Sequence, residues 1–163
     1  MPVLTTDRLE LTPLTPADAE SMVTVLADPR MYEFIGGQPP TADDLRRRYA
    51  VLATGMSPDG TEWWLNWIVR DRAGGTPVGV VQATVAGDRS HASVAWEIGV
   101  PWQGGGRATE AAAAMAAWLA DAGVPVIEAT IAPGHAASEA VARRLGLHAT
   151  DEHDDGEVVW RSG

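Results

Sequence analysis

The chain has 163 residues, of which 45% are hydrophobic and 21% charged, and its formal net charge is −10. This composition argues against a disordered chain, and the acidic balance argues against nucleic acid or an anionic membrane as a partner. The absence of cysteine excludes disulfides, thiolate metal sites and cysteine nucleophiles. The length fits one domain spanning residues 1–163. No apolar run could cross a membrane and no signal peptide is recognisable, so we expect a cytoplasmic protein.

The predicted elements mix strands and helices. Segments with the alternation or short apolar runs of β-strands are 6–14, 62–71, 76–87, 92–100, 125–133 and 157–161. Segments with helical periodicity are 15–28, 42–55, 108–122 and 138–146. Thr15 and Thr41 are suited to cap the first two helices, and Leu45, Tyr49 and Leu52 share the apolar face of the second. This order predicts a mixed α/β (α+β) fold.

Residues 100–111 carry the strongest functional signal. A predicted strand ends there, Gly104, Gly105 and Gly106 follow, and a run of strong helix formers begins. Glycines let the backbone turn sharply and approach a ligand closely, and a helix N-terminus presents unpaired N–H groups. Together they predict a phosphate or pyrophosphate site; a plain glycine loop is the alternative. The chain has no Lys for a P-loop, and Thr109 disagrees with a Rossmann fingerprint.

Four blocks of sequence resemble one protein family. The loop Gln103-Gly104-Gly105-Gly106-Arg107-Ala108 is similar to the acyl-CoA loop of the GCN5-related N-acetyltransferases (GNAT). The other blocks resemble the RimJ/RimL-like branch of ribosomal-protein-alanine acetyltransferases, and they are TDRLELTPL at 6–14, WEIG at 96–99 and PGHAASEAVARRLGL at 133–147. The resemblance implies a GNAT fold, with a mixed central sheet of about six to seven strands flanked by about four helices.

The resemblance also implies a function. It implies an N-acetyltransferase that passes the acetyl group of acetyl-CoA directly to a primary amine, on a protein N-terminus or a small molecule, with no metal. A non-catalytic acyl-CoA-binding or regulatory protein on the same fold is the alternative. We expect an amine partner, no nucleic acid or membrane, and a monomer or homodimer. The acidic charge favours a cationic acceptor, and we expect the run DEHDD at 151–155 to form a hairpin loop beside it.

By the same resemblance, the residues expected to bind CoA are Ile98, Val100, Gln103, Gly104, Gly105, Gly106, Arg107, Ala108 and His135. His135 takes the place of an Asn that contacts the pantetheine in the family, and an exposed loop histidine is the alternative. Tyr32 and Phe34 are expected to border the acceptor site. Ala142 falls where many members of the family have a Tyr general acid.

Two residues are candidates for the proton transfers that acetyl transfer requires. Glu97 is the candidate base, because it shares a strand face with the small residues Ala95 and Gly99, which would leave room for a cleft. A solvated or ion-paired carboxylate is the alternative. Ser138 is the candidate acid, and an ordinary helix N-cap serine is the alternative.

Overall fold

The structure is a computed structural model that describes all 163 residues. One mixed sheet contains eight strands in the order β1-β2-β3-β4-β5-β6-β8-β7. The strands are β1 (Leu4–Thr5), β2 (Leu9–Pro13), β3 (Glu62–Asp71), β4 (Pro77–Ala86), β5 (Ala92–Ile98), β6 (Ile127–Ile131), β7 (Leu147–Asp154) and β8 (Glu157–Ser162). The helices are α1 (Ala19–Val25), α2 (Ala42–Leu52), α3 (Arg107–Asp121) and α4 (Ala136–Arg144). None of them is both long and apolar enough to cross a membrane.

The predicted mixed α/β architecture is confirmed, but the sheet has eight strands where six to seven were expected. The additional strands are β1 and β7, which occupy the two outer positions of the sheet. β7 includes most of the acidic run that was expected to be a loop, and only Asp155 lies in the turn, with φ of +46°. A strand of two residues and a strand exposed on both faces show little alternation, so the sequence pattern does not reveal them.

Two helices begin at least two residues away from their predicted starts. The first predicted helix starts as a 3-10 turn, Pro16–Asp18, and is α-helical only over Ala19–Val25. The Asp18 carboxylate accepts hydrogen bonds from the N–H and hydroxyl groups of Thr15, both at 2.8 Å. α4 begins two residues before its predicted start, so His135 is its N-cap and Ser138 lies inside its first turn. The N-cap alternative for Ser138 is therefore wrong.

The helices cover opposite faces of the sheet. Helices α1 and α2 bury Met22, Leu45 and Tyr49 against the sheet residues Ile68 and Val80. Helices α3 and α4 cover the other face, where the larger core cluster includes Met115, Leu119, Ala142, Leu9, Leu11, Trp67, Val94 and Ile98. Side chains of β5 therefore point alternately toward α3 and toward the pair α1 and α2.

Strands β5 and β6 part early. Their parallel pairing is confined to Ala92 with Ile127 and Ser93 with Glu128. Beyond Ser93, β5 continues to Ile98 paired only with β4, whereas β6 pairs with β8. A strand that loses one neighbour leaves backbone N–H and C=O groups without partners along that side. The parting therefore creates an open edge inside the sheet, next to the end of β5.

The close approach of β4 to β5 near this edge requires a glycine. A Cβ atom on Gly79, the partner of Ile98, would lie 2.2 Å from the carbonyl oxygen of Glu97. We expect Gly79→Ala to lower the free energy of unfolding, measured with urea, by about 1–3 kcal/mol because of overpacking. Gly74→Ala is the matched control, since its Cβ would meet nothing nearer than 3.8 Å. Equal stabilities of the two variants would contradict this close approach.

Candidate active site

The glycine loop presents a row of free backbone N–H groups. After β5 the chain makes a 3-10 turn, Val100–Trp102, and Gly104 and Gly106 then each adopt a φ of +79°. This left-handed conformation suits glycine and little else. The N–H groups of residues 104–109 donate to no group of the protein. Because the later ones form the first turn of α3, the positive end of the helix dipole adds to them, and the loop can hold an anion.

The loop is held in place by residues of the turn between β1 and β2. The Glu110 carboxylate accepts hydrogen bonds from the Thr6 hydroxyl at 2.6 Å, the Arg8 N–H at 3.0 Å and the Arg8 Nε at 2.7 Å. Arg8 also donates from Nη1 to the Gly105 carbonyl at 2.9 Å. Burial alone would raise the pKa of Glu110, but the hydrogen bonds from Thr6 and Arg8 outweigh it and lower that pKa. No sequence pattern predicts this role for Thr6 and Arg8, and the only signal at these residues is their place in the TDRLELTPL block.

The side chains of two residues predicted to bind CoA, Gln103 and Arg107, bond to other residues of the protein. The side-chain amide of Gln103 donates to the Ile98 carbonyl at 2.8 Å, which ties the loop to the end of β5. The guanidinium of Arg107 pairs with Asp71 at 2.9 Å, although its Nε is buried without a partner. Arg107 therefore contributes its backbone N–H to the loop, as does Ala108. The Ile98 side chain lies in the core, and its backbone lies at the open edge of β5.

Glu97 is an unpartnered carboxylate inside the fold. It lies directly opposite Val80, so it points toward α1 and α2, on the face that the sequence predicts. It is half-buried and makes no hydrogen bond or ion pair with the protein, so the ion-pair alternative is not supported. Burial raises the pKa of Glu97, and the nearby charge of Arg48 acts in the opposite direction. A carboxylate with a raised pKa is a stronger proton acceptor.

Gly99, one of the two small neighbours of Glu97, does not leave the room for a cleft that we expected. A Cβ on Gly99 would lie 2.8 Å from the Val25 carbonyl oxygen and 2.9 Å from the Trp102 ring. Gly99 is therefore small because α1 and the following turn pack against it, and it leaves no space for a ligand. Ala95, on the same face, is half-buried.

The first turn of α4 holds two of the predicted residues. The Ser138 side chain is half-buried, and its hydroxyl hydrogen-bonds to no group of the protein. The ring of His135 stacks on that of Phe34, with the centroids 4.3 Å apart and 10° between the planes. Burial lowers the pKa of His135, so its imidazole is mainly neutral at pH 7. Ala142 is fully buried in the core, so this helix offers no phenol.

An open cleft of about 460 Å³ lies beside this stack. The residues that line it are Phe34, Ile35, Thr130, Ala132, Pro133, Asp154, Asp155, Gly156 and Glu157. The carboxylates of Asp154, Asp155 and Glu157 make no ion pair. Of the two residues expected at the acceptor site, Phe34 lines the cleft, whereas Tyr32 does not and donates its hydroxyl to the Leu26 carbonyl at 3.0 Å. No group of three or more His, Cys, Asp or Glu side chains is placed to hold a metal.

The left-handed backbone of the loop predicts which substitution weakens CoA binding. We expect Gly104→Ala to lower CoA affinity about tenfold in calorimetry, because a left-handed non-glycine residue costs roughly 1–2 kcal/mol and the loop would relax away from the binding geometry. Gly123→Ala is the matched control, since Gly123 has a similar φ of +83° and both positions have open space for a Cβ. An equal effect of the two variants on CoA affinity would remove the loop from the binding site.

The family model of the acetyltransferase (GNAT) domain matches residues 8–148. No curated protein sequence matches significantly. RimL, a ribosomal L7/L12 alpha-N-protein acetyltransferase solved in complex with coenzyme A, is 13% identical with a TM-score of 0.81, over 98% of this chain and 97% of that one. AAC(6')-Ib in complex with paromomycin and acetyl-CoA is 21% identical with a TM-score of 0.76, and the likeness covers 96% of this chain and 93% of that one. An acetyltransferase from Agrobacterium tumefaciens strain C58 is 23% identical with a TM-score of 0.74, and the likeness covers 100% of this chain and 95% of that one.

At these identities the structural likenesses show the fold alone. The family model spans most of the chain. The sequence blocks, the parted strands and the glycine loop at the start of α3 therefore lead to one conclusion: the protein belongs to the GNAT family of acetyltransferases.

Proposed function

We propose that this protein transfers the acetyl group of acetyl-CoA to a primary amine that is cationic in solution. The observation that carries the proposal is the open edge of β5, which leads directly to the free N–H groups of residues 104–109. These N–H groups fit the pyrophosphate of CoA. The pantetheine arm contains two amides, and amides pair readily with an unpaired strand edge, so the edge beyond Ser93 fits the arm.

The similar structures support this donor. The RimL structure is a complex with coenzyme A, and the AAC(6')-Ib structure is a complex with acetyl-CoA. By their names, RimL acts on a protein α-amine, and AAC(6')-Ib is bound to paromomycin. Both acceptors that we expected, a protein N-terminus and a small molecule, therefore occur among proteins of this fold.

In the proposed reaction Glu97 removes one proton from the acceptor ammonium, directly or through water. The neutral amine nitrogen then forms a bond to the thioester carbon, the carbon–sulfur bond breaks with its electron pair going to sulfur, and the nitrogen loses its second proton to solvent to give the neutral amide. The leaving sulfur gains a proton from solvent, or from the free hydroxyl of Ser138, which then regains a proton from solvent. Burial favours Glu97 for its role, because its raised pKa lies nearer to that of an amine.

The acidic cleft supports a cationic acceptor. Asp154, Asp155 and Glu157 present unpaired carboxylates around it, and Phe34 and Ile35 add an apolar wall. A primary amine on an aliphatic or peptide chain satisfies both surfaces. The formal net charge of −10 adds a negative potential that attracts cations over a longer range.

The role of Glu97 can be tested with a conservative variant. We expect Glu97→Gln to lower turnover by about 10²–10⁴-fold, the usual contribution of a general base, with little change in CoA affinity. Thiol release is the measurement, and the absence of cysteine removes any background from the protein. Glu10→Gln is the matched control, because Glu10 is also a half-buried strand glutamate without a partner.

Near wild-type turnover of Glu97→Gln over pH 6–9 would exclude Glu97 as the base. CoA binding without thiol release for any amine would support the alternative, a non-catalytic acyl-CoA-binding protein.

The cleft predicts how acceptor affinity depends on charge. We expect the double variant Asp154→Asn, Asp155→Asn to raise the KM of a diamine about tenfold, since charge-assisted contacts contribute roughly 1.5–3 kcal/mol in favourable geometry and less when exposed. The KM of acetyl-CoA should not change. Asp151→Asn is the control, because Asp151 is exposed on β7 and does not line the cleft. A diamine KM that responds to Asp151→Asn as strongly as to the double variant would exclude the cleft as the acceptor site.

A further inference from the structure

One buried hydroxyl has no partner in the protein. Tyr49 lies on α2 with only 3% of its surface exposed, and its hydroxyl makes no hydrogen bond. Leaving a buried polar group unpaired costs about 1–3 kcal/mol, and Phe would fill the same space without that cost. Buried tyrosine hydroxyls usually find a partner. The hydroxyl therefore points to a partner that is not part of the chain.

The nearby groups identify where this partner binds. Tyr49 belongs to the core cluster that contains Val80, and Val80 lies directly opposite Glu97 in the β4–β5 register. Directly opposite residues project from the same face of a sheet with their Cβ atoms about 4.5–5.5 Å apart. The Glu97 carboxylate therefore enters the same space between the sheet and α2. An unpaired donor and an unpaired acceptor share this space, and they do not hydrogen-bond to each other.

We propose that Tyr49 is a positioning residue for the acetyl transfer, and that its hydroxyl donates a hydrogen bond to a water molecule that bridges to Glu97. This inference rests on the proposed role of Glu97 as the base. The water accepts one proton from the acceptor ammonium and passes another of its protons to the Glu97 carboxylate. The products of this step are a neutral amine, an unchanged water molecule and a neutral Glu97 carboxyl group, so protons and charge balance.

The charged surroundings keep Tyr49 a donor. Burial, followed by the negative charge of Glu97, raises the pKa of Tyr49, so the phenol keeps its proton throughout the working pH range. The other ionisable groups around the pair are Arg48 on α2, Tyr32 on the turn before it and Asp18 before α1. Tyr32 already donates its hydroxyl to the Leu26 carbonyl, and therefore cannot donate to the same water. Arg48 is exposed, so of these groups Tyr49 is the one whose unpaired donor is buried beside Glu97 and can orient the water.

The test is the isosteric variant Tyr49→Phe in two backgrounds, the wild-type chain and Glu97→Gln. In the wild-type background we expect kcat/KM for the amine to fall about tenfold to hundredfold, below the full contribution of a base, with the KM of acetyl-CoA unchanged. In the Glu97→Gln background the same change should have no further effect, because residues that act as one unit are not additive. Thr54→Val, which removes an exposed hydroxyl just after α2 that donates to the Val51 carbonyl, should change neither value.

The pH profile separates positioning from a structural role. A hydrogen bond that favours the ionised carboxylate lowers the pKa of Glu97, so its loss in Tyr49→Phe should move the acidic limb of the kcat/KM profile to higher pH. An NMR titration of 13C-labelled glutamate carboxyls in both proteins should show the same shift for Glu97, whether or not the enzyme turns over. An unmoved Glu97 titration, or equal losses in the two backgrounds, would overturn the role of Tyr49. A Glu97→Gln variant as fast as wild type would instead overturn the proposed function.

Discussion

The parting of β5 and β6 after two residue pairs is the constraint on which the site depends. A continuous ladder would satisfy every backbone group of β5 and leave no slot in the sheet. At the end of β5 the Ile98 carbonyl accepts from the Gln103 side chain, and the Gly99 N–H continues the pairing with β4 by donating to the Val78 carbonyl at 2.9 Å, so the unpaired edge lies between Ser93 and this point. The chain then turns into the glycine loop at the point where the two strands diverge. The fold thus places an unpaired strand edge and a helix N-terminus side by side.

The loop could not keep its shape through its own N–H groups, because those groups must stay free to bind. It is fixed through other atoms. Arg8 donates to the Gly105 carbonyl, Glu110 accepts from the turn before β2 that contains Arg8, and the Arg107 side chain pairs with Asp71. Each contact uses a carbonyl or a side chain and leaves the N–H groups of residues 104–109 unpaired. Hydrogen bonds and ion pairs between residues far apart in sequence therefore hold the anion site in its binding conformation.

Local patterns predicted much of this arrangement. The alternation along β5 placed Glu97 on the correct face, and the three glycines before a helix marked the loop. What the sequence could not show depends on contacts across the fold. The helical period of α2 made Tyr49 a core residue beside Leu45, but no pattern indicates that its hydroxyl lacks a partner. In the same way, Gln103 matched the CoA loop motif, and only the structure shows that its side chain is bound to Ile98.

A crystal structure of the protein with CoA would show whether the open edge of β5 and the glycine loop form one donor site. We expect the pyrophosphate within hydrogen-bond distance of the N–H groups of residues 104–109, and the pantetheine along β5 beyond Ser93 with its thiol toward the face of Glu97. CoA bound elsewhere, for example in the apolar pocket between Trp63 and Trp118, with the edge of β5 empty, would contradict it.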